Sequence, residues 1–205
     1  MISILFDNLN DRLAERKFAV KELSDWETKL NNGLTELDDL EEVRIIFQKA
    51  SQITQSQLSK RISEIVSSAL AAVFKEPYTF IVEFVLRRNT TECDLLFEKN
   101  GKRKSPLDSC GYGAADIASL ALRVAYWKLD SDARNVLVLD EPTRALSLDK
   151  HERASMMIRE LSRMKNGLQF IIVTHSKSLS TYADKSFKVE KKNNISYVTE
   201  IEKSI

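Results

Sequence analysis

The stretch that decides the fold of this chain is Asn135-Val-Leu-Val-Leu-Asp-Glu-Pro-Thr-Arg144. Its run of consecutive apolar residues predicts a short, buried strand of a parallel sheet. The strand ends in two adjacent acids, Asp140 and Glu141. Open α/β sheets bind ligands at the carboxyl ends of their strands. We therefore expect nucleotide chemistry there, with Asp140 holding Mg²⁺, directly or through water, and Glu141 deprotonating a water aimed at a γ-phosphate.

A second apolar run repeats this design. Phe170-Ile-Ile-Val-Thr-His175 ends in a lone histidine and follows a predicted helix from about Lys150 to Met164. A strand, a helix and a second strand in this order are typical of α/β proteins. The two strand ends are therefore expected to bring His175 to the same edge as the two acids.

This order of residues resembles that of the ABC-type ATPases, and more closely the SMC/SbcC/RecN branch that works on chromosomes and broken DNA. Val136–Glu141 looks like a Walker B strand, Pro142–Asp149 like the D-loop region, and Thr174-His175 like the switch (H-loop) histidine. The similarity covers roughly residues 60–205, and its later part is most similar to small ATPases of this branch encoded by bacteriophages.

The resemblance implies an α/β fold, that of the carboxyl-terminal lobe of an ABC/SMC-type P-loop ATPase head, preceded by a helical coiled-coil stub. It also implies ATP and Mg²⁺ as cofactors. Asp140 would bind the metal and the cofactor, Glu141 would be the catalytic base, and His175 would be the catalytic residue that senses the γ-phosphate.

The phosphate loop that such an ATPase needs is absent from the sequence. In G-x-x-x-x-G-K-[ST], backbone N–H groups and the Lys bind the phosphates. The chain has five Gly, and none forms this pattern. Gly101-Lys102-Arg103 is the nearest imitation, but Leu96 stands in the place of the first Gly, and we interpret the segment as a solvated turn.

The signature loop and the D-loop of the family are both altered. ABC proteins present Ser-Gly-Gly at a helix start, where it binds the γ-phosphate held by the opposite subunit. Here Gly111, Tyr112 and Gly113 fall on that triplet, or Cys110 falls on the Ser if a three-Gly variant is matched. Gly111 and Gly113 keep anion binding available, and Tyr112 could stack on a base or a partner. In the D-loop, Ser147 replaces an Asp and could hydrogen-bond across a dimer.

The first third of the chain has a different character. Residues 1–75 contain one Gly and no Pro, and their apolar residues recur at three- and four-residue steps, which predicts amphipathic helix. Asn31-Asn-Gly33 resembles a helix stop. We therefore favour two helices, at about 3–31 and 35–74, which could fold as a hairpin. One continuous helix is the alternative. The predicted domains are a helical region, 1–75, and the ATPase lobe, 76–205.

Further elements are predicted from β-branched runs and turn residues. Two strands at 78–86 and 92–98 flank a turn, a helix covers about 114–129, and strands at 136–140 and 169–174 enclose the helix already described. Two short strands near 186–190 and 195–201 predict a terminal hairpin.

Composition excludes some classes of partner. The net charge of +1 provides no global attraction to nucleic acid or to anionic membrane. The sequence shows no signal peptide and no run of membrane-spanning length, and its two cysteines form no metal pattern. We expect a cytoplasmic protein of a bacterial or phage-infected cell, with both thiols reduced.

Three functions follow as hypotheses. The first is a composite ATPase in DNA recombination, repair or replication, working as a homodimer or in a complex with a chain that carries the phosphate loop, beside a nuclease subunit and DNA. The second is a non-catalytic dimerisation or protein-binding module that has lost ATPase activity. The third is a DNA-binding adaptor that uses the basic turns Arg87-Arg88 and Lys102-Arg103-Lys104, which are more simply solvated turns.

Overall fold

The computed structural model describes residues 2–106, 111–130, 132–164 and 167–201. Its elements in chain order are α1 (Ile2–Val73), β1 (Thr79–Arg87), β2 (Thr90–Lys99), β3 (Lys102–Lys104), α2 (Tyr112–Leu129), β4 (Val136–Asp140), α3 (Leu148–Arg163), β5 (Gln169–Val173), α4 (Lys177–Tyr182), β6 (Phe187–Lys192) and β7 (Ile195–Glu200). The expected helices and strands after residue 75 all occur close to their predicted bounds. The short elements β3 and α4 were not predicted.

The helical first third is one helix, and the two helices favoured from the sequence are wrong. α1 continues through Asn31-Asn-Gly33. Thr35 does not cap a new helix, because its hydroxyl donates to the carbonyl of Asn31 at 3.1 Å, a bond made inside a helix. An exposed Gly costs a helix only about 1 kcal/mol relative to Ala, so Gly33 weakens α1 without ending it. The alternative of one continuous helix is confirmed.

Contacts divide the chain into two compact units, residues 1–54 and 55–205. In the first unit, every side chain from residue 9 to residue 54 is exposed, including the apolar ones that carry the helical repeat. The last turns of α1 belong to the second unit, although the sequence placed them with the helical region. Val66, Leu70 and Val73 are buried there against Phe80 and Phe97 of the sheet.

The sheet under these last turns is antiparallel, in the order β1-β2-β3. Its outer edge, β1, is paired with serine side chains of α1 in place of another strand. Ser67 Oγ accepts from the backbone N–H of Phe80 at 2.9 Å, Ser63 Oγ accepts from that of Val82 at 3.1 Å, and Ser59 Oγ donates to the Val82 carbonyl. We call Ser59, Ser63 and Ser67 the serine ladder. It satisfies backbone groups that an edge strand would otherwise leave unpaired.

The second sheet of this unit is the parallel pair β4-β5, joined by α3. Leu139 is buried in a core with Leu120, Ile158 and Leu179, and Phe170 and Ile172 pack against that core. The other face of the pair is exposed, and we call it the open face: Val136, Val138, Ile171 and Val173. The strand predicted to be buried is thus covered on one face only.

The chain closes with the predicted hairpin, β6 paired with β7 in antiparallel register from Phe187↔Glu200 to Lys192↔Ile195. Asn193 and Asn194 form its turn with positive φ angles of 49° and 62°, which Asn tolerates better than most residues. Among the described residues, no helix combines the length and the apolar character needed to cross a membrane.

Candidate functional site

The candidate site lies where β4 and β5 end side by side. The parallel register pairs Asp140 with Val173, so that the next residue of each strand end, Glu141 and Thr174, are neighbours. The backbone N–H of Glu141 donates to the Val173 carbonyl at 2.9 Å and extends the pairing by one bond. The expected convergence of the acids and His175 is therefore present.

The carboxylate of Glu141 accepts three hydrogen bonds. Its Oε1 accepts from the backbone N–H of His175 at 3.0 Å and lies 2.8 Å from the ring Nδ1 of the same residue. Its Oε2 accepts from the hydroxyl of Thr174 at 3.1 Å. The bond from the His175 ring, followed by those from Thr174 and the His175 backbone, lowers the pKa of Glu141 against the opposing effect of desolvation.

The contact with Glu141 fixes the tautomer of His175. An ionised carboxylate can only accept, so Nδ1 carries the proton in this bond. In the neutral ring, Nε2 is then an acceptor. The side chain of His175 is 78% exposed and that of Glu141 only 27%, so the imidazole is the outer member of the pair.

The backbone of Glu141 is strained. Its φ angle is +44°, in the left-handed region that non-glycine residues seldom occupy. Such a conformation costs on the order of 1–3 kcal/mol and persists only where surrounding contacts hold it. The bond to Val173 and the three bonds to the carboxylate supply those contacts.

Asp140 differs from its neighbour. Its side chain is exposed, and no hydrogen bond or ion pair engages it within the described part of the chain. Among those residues, no group of three or more His, Cys, Asp or Glu could hold a metal ion. A single free carboxylate suits Mg²⁺, which usually takes one or two protein carboxylates and completes its shell with water and substrate phosphates.

The D-loop-like segment, residues 142–147, leads from Glu141 to α3. Thr143 and Leu146 are buried, whereas Arg144 is exposed. Ser147 is exposed, and its hydroxyl accepts from the Lys150 ammonium at 2.6 Å. A hydrogen bond from the same Ser147 hydroxyl is the main cause that lowers the pKa of the Asp149 carboxyl. Ser147, predicted to bond across a dimer, is thus already engaged within its own chain.

The start of α2 packs against this segment. Gly111 is the N-cap residue with φ +73°. At Gly113, an added Cβ would lie 3.0 Å from the carbonyl oxygen of Ala145. Close packing within the chain therefore favours glycine at this position, which the sequence did not indicate. Asp116 Oδ2 accepts from the Ala145 N–H at 2.9 Å. Tyr112 is 74% exposed, and the alternative signature residue Cys110 lies outside the described residues.

Sequence reasoning missed a second histidine beside the site. His151 is half-buried on α3, with Nε2 2.9 Å from the Leu146 carbonyl oxygen and Nδ1 3.0 Å from Ser176 Oγ. It therefore touches both the D-loop-like segment and the segment after β5. No motif or spacing marks this residue, because its partners are brought to it by the fold.

One arginine of each basic segment is paired with acids. Arg87 bonds Asp94 at 2.6 Å and Glu92 at 3.0 Å. Arg103 bonds Glu98 at 2.8 Å and also pairs with Glu83. Lys102–Lys104 are exposed, as expected, but they form strand β3 and not a turn. The two arginines are consequently poor candidates for DNA phosphates.

No family model matches this sequence. The DNA double-strand break repair Rad50 ATPase of Sulfolobus acidocaldarius is 27% identical over 176 residues, covering 84% of this chain and 18% of that protein. The Rad50 ATPase of Saccharolobus solfataricus is 32% identical over 114 residues, which are 56% of this chain and 13% of that protein. The DNA repair protein RecN of Aquifex aeolicus is 31% identical over 99 residues, 48% of this chain and 18% of that protein.

Solved SMC head domains share the fold. An SMC ATPase studied for ATP-driven dimerization and DNA-stimulated activation aligns with a TM-score of 0.56 and 19% identity over 74% of this chain and 89% of that chain. The SMC head domain with coiled coil and joint from Pyrococcus yayanosii aligns with a TM-score of 0.57 and 18% identity over 81% of this chain and 31% of that chain.

These comparisons confirm the resemblance to the SMC/SbcC/RecN branch of the ABC-type ATPases and the predicted fold class. The chain spans less than a fifth of the length of the curated relatives it matches. The similarity to bacteriophage ATPases stays a prediction.

Proposed function

We propose that this chain forms part of a composite SMC/SbcC-like ATPase, in which a polypeptide segment outside these 205 residues supplies the phosphate loop. The observation that carries the proposal is the contact between Glu141 and His175 at the carboxyl ends of two parallel strands. Oε1 of Glu141 lies 2.8 Å from Nδ1 of His175. Similarity to Rad50, RecN and SMC heads supports a role as an SMC-type or DNA repair ATPase. Recombination and replication are further settings for the same activity.

The open face supports a second polypeptide layer. Val138 is 69% exposed and Val173 is 62% exposed, although both lie on strands whose other face forms a core. Contiguous apolar surface on a sheet is a typical interaction site. In the proposal, the segment with the phosphate loop covers this face and places its loop near Asp140 and Glu141.

The residues then divide the chemistry between them. Asp140 is the carboxylate available to Mg²⁺, which supplies charge neutralisation at the phosphates when bound. Glu141 accepts a proton from the attacking water. Release of Oε1 from His175 would make that oxygen available to the water, because the backbone N–H and the ring N–H of His175 both engage it now.

His175 links nucleotide to base. A phosphate at Nε2 needs a donor there, whereas the bond to Glu141 keeps the proton of the neutral ring on Nδ1. Contact with phosphate therefore requires a second proton on the ring or loss of the bond to Glu141. In the second case, binding of the γ-phosphate would free the base at the moment it is needed.

ATP would lie between two heads, in a homodimer or a hetero-complex. Gly111 and Gly113 at the start of α2, with Ser147, are the proposed contacts to the nucleotide of the opposite head. Residues 1–75 would act as the coiled-coil stub and residues 76–205 as the ATPase lobe. A nuclease subunit and DNA are proposed partners, and the cytoplasm of a bacterial or phage-infected cell is the proposed location.

The test is ATP hydrolysis by the chain alone and together with proteins that co-purify from its native host. We expect activity only with the partner, loss of activity in Glu141→Gln with ATP still bound, and no change in the control Glu160→Gln, an exposed acid on α3. If no preparation binds nucleotide, and Glu141→Gln does not differ from wild type in ATP binding or hydrolysis, the proposal of a composite ATPase is wrong.

That outcome would favour the second candidate, a non-catalytic dimerisation or protein-binding module. The observations on its side are the missing phosphate loop and the internal engagement of two predicted nucleotide contacts, Ser147 by Lys150 and Gly113 by Ala145.

A further inference from the structure

His151 connects two segments that flank the candidate base. Its ring lies between the Leu146 carbonyl oxygen, 2.9 Å from Nε2, and the Ser176 hydroxyl, 3.0 Å from Nδ1. A carbonyl oxygen can only accept, so Nε2 carries a proton. In the neutral ring, Nδ1 then accepts from the Ser176 hydroxyl, and both ring nitrogens are engaged.

The Ser176 end of this bridge continues to Glu141. The backbone N–H of Ser176 donates to Thr174 Oγ1 at 3.1 Å. The Thr174 hydroxyl in turn donates to Glu141 Oε2 at 3.1 Å. Two hydrogen bonds thus lead from the residue that His151 holds to the carboxylate.

The Leu146 end is fixed to the body of the lobe. Leu146 is 6% exposed and belongs to the core that contains Ala114 and Ile117 of α2. The backbone N–H of the preceding residue, Ala145, donates to the carboxylate of Asp116 on α2 at 2.9 Å. Next to these anchored residues, Arg144 is exposed and open to a partner.

We propose that His151 is a positioning residue that ties the D-loop-like segment to the carboxylate of Glu141 through Ser176 and Thr174, so that a partner contact on that segment is passed to the base. This role rests on the proposed function insofar as Glu141 is the base. It gives the partner a way to regulate hydrolysis without touching Glu141.

The test cuts the bridge at one end at a time. His151→Gln can still reach the Leu146 carbonyl but not Ser176, and His151→Asn has the shorter reach that suits Ser176 but not Leu146. Ser176→Ala removes the partner of Nδ1 and leaves the ring in place. The control is Glu152→Gln, because Glu152 is the exposed neighbour of His151 and its only bond in the described structure, to the Tyr182 hydroxyl at 2.9 Å, can be kept by an amide.

Amide hydrogen exchange of the isolated full chain provides a readout that needs neither nucleotide nor partner. The His175 N–H is protected by the Glu141 carboxylate, whereas the Glu141 N–H is protected by the Val173 carbonyl. We expect all three bridge variants to lower the protection of the His175 amide by about two- to tenfold, the factor of a typical net hydrogen bond. The Glu141 amide should keep its protection, and Glu152→Gln should change neither.

Two results would overturn the role. Equal loss of protection at the His175 and Glu141 amides would mean that His151 only stabilises the fold. Wild-type protection of the His175 amide in His151→Asn would mean that the Leu146 end does not matter. In the reconstituted complex, the same variants should lower kcat and leave KM for ATP unchanged. Absence of hydrolysis in wild type would refute the proposed function, and the exchange data would still decide on the bridge.

Discussion

Replacing Ser67 by Ala tests whether the serine ladder holds the end of α1 on the sheet. Ser67 Oγ accepts from the Phe80 N–H at 2.9 Å, and Phe80 is 1% exposed. Without the hydroxyl, this buried N–H loses its partner, which costs about 1–3 kcal/mol. Ala gains up to about 0.5 kcal/mol over Ser in helix propensity. The free energy of unfolding should therefore fall by about 0.5–2.5 kcal/mol.

The matched control is the adjacent residue. Ser68 is exposed, and its hydroxyl donates to the Glu64 carbonyl inside α1 at 2.7 Å. The same substitution there leaves no buried group unpaired, so the change should stay within about 0.5 kcal/mol. The two variants share composition, helix and side-chain volume and differ in the contact with β1.

Urea unfolding followed by the fluorescence of Trp127 is the assay. Trp26 lies in the first unit and Trp127 in the second, so a Trp26→Phe background confines the signal to the unit that contains the ladder. The midpoint should shift with an unchanged m value if stability alone has changed. Ser67→Ala and Ser68→Ala with the same midpoint would refute the reasoning.

Three further predictions use the same chain. Leu139→Ala should lower the free energy of unfolding by about 2–5 kcal/mol, because Leu139 is 1% exposed. Val138→Ala should lower it by less than about 1 kcal/mol, because Val138 is 69% exposed. Urea unfolding of the two variants measures both changes. Gly167→Ala should lower the Tm, because a Cβ there would overlap a backbone carbonyl oxygen of α3. The pKa of Glu141, measured by carboxyl NMR, should lie below its ordinary 4.5 and rise in His175→Ala.

The lowered pKa of Glu141 also determines how the stability of the chain changes with pH. Because the pKa of Glu141 is lowered in the folded chain, its stabilising contribution is complete above 4.5 and is lost as the pH falls through the lowered value. Glu141→Gln should therefore differ most from wild type near neutral pH. Equal effects at Val138 and Leu139, an unchanged Tm in Gly167→Ala, or an unmoved pKa in His175→Ala would each contradict the contact invoked.

The elements that could be predicted are those with a local signal. The predicted strand 136–140, four apolar residues followed by Asp140, has the bounds of β4, because Glu141 and Pro142 end it. The stop signal at Gly33 failed because one exposed glycine cannot outweigh the helix formers on both sides of it. Strand β3 could not be predicted from its three basic residues, since pairing with β2 and the ion pairs of Arg103 create it.

The site divides in the same way. The positions of Glu141 and His175 followed from two apolar runs with polar ends, but nothing in the sequence shows that the two side chains bond each other. His151 and Ser176 are 25 residues apart, and their contact exists only because α3 returns along β5. The serine ladder likewise joins residues on different elements, so a helical serine repeat alone does not reveal it.

The geometry of Glu141 joins these points in the proposed ATPase. The three bonds to its carboxylate hold a backbone with φ +44° and also occupy the oxygens and lower the pKa of the group meant to act as base. The base is therefore stored in a form that reacts poorly. Releasing His175 removes the ring bond, which is the main cause of the lowered pKa, while the backbone bond to Val173 stays in place. In the proposed composite ATPase, this storage would hold back hydrolysis until bound nucleotide draws His175 away from Glu141.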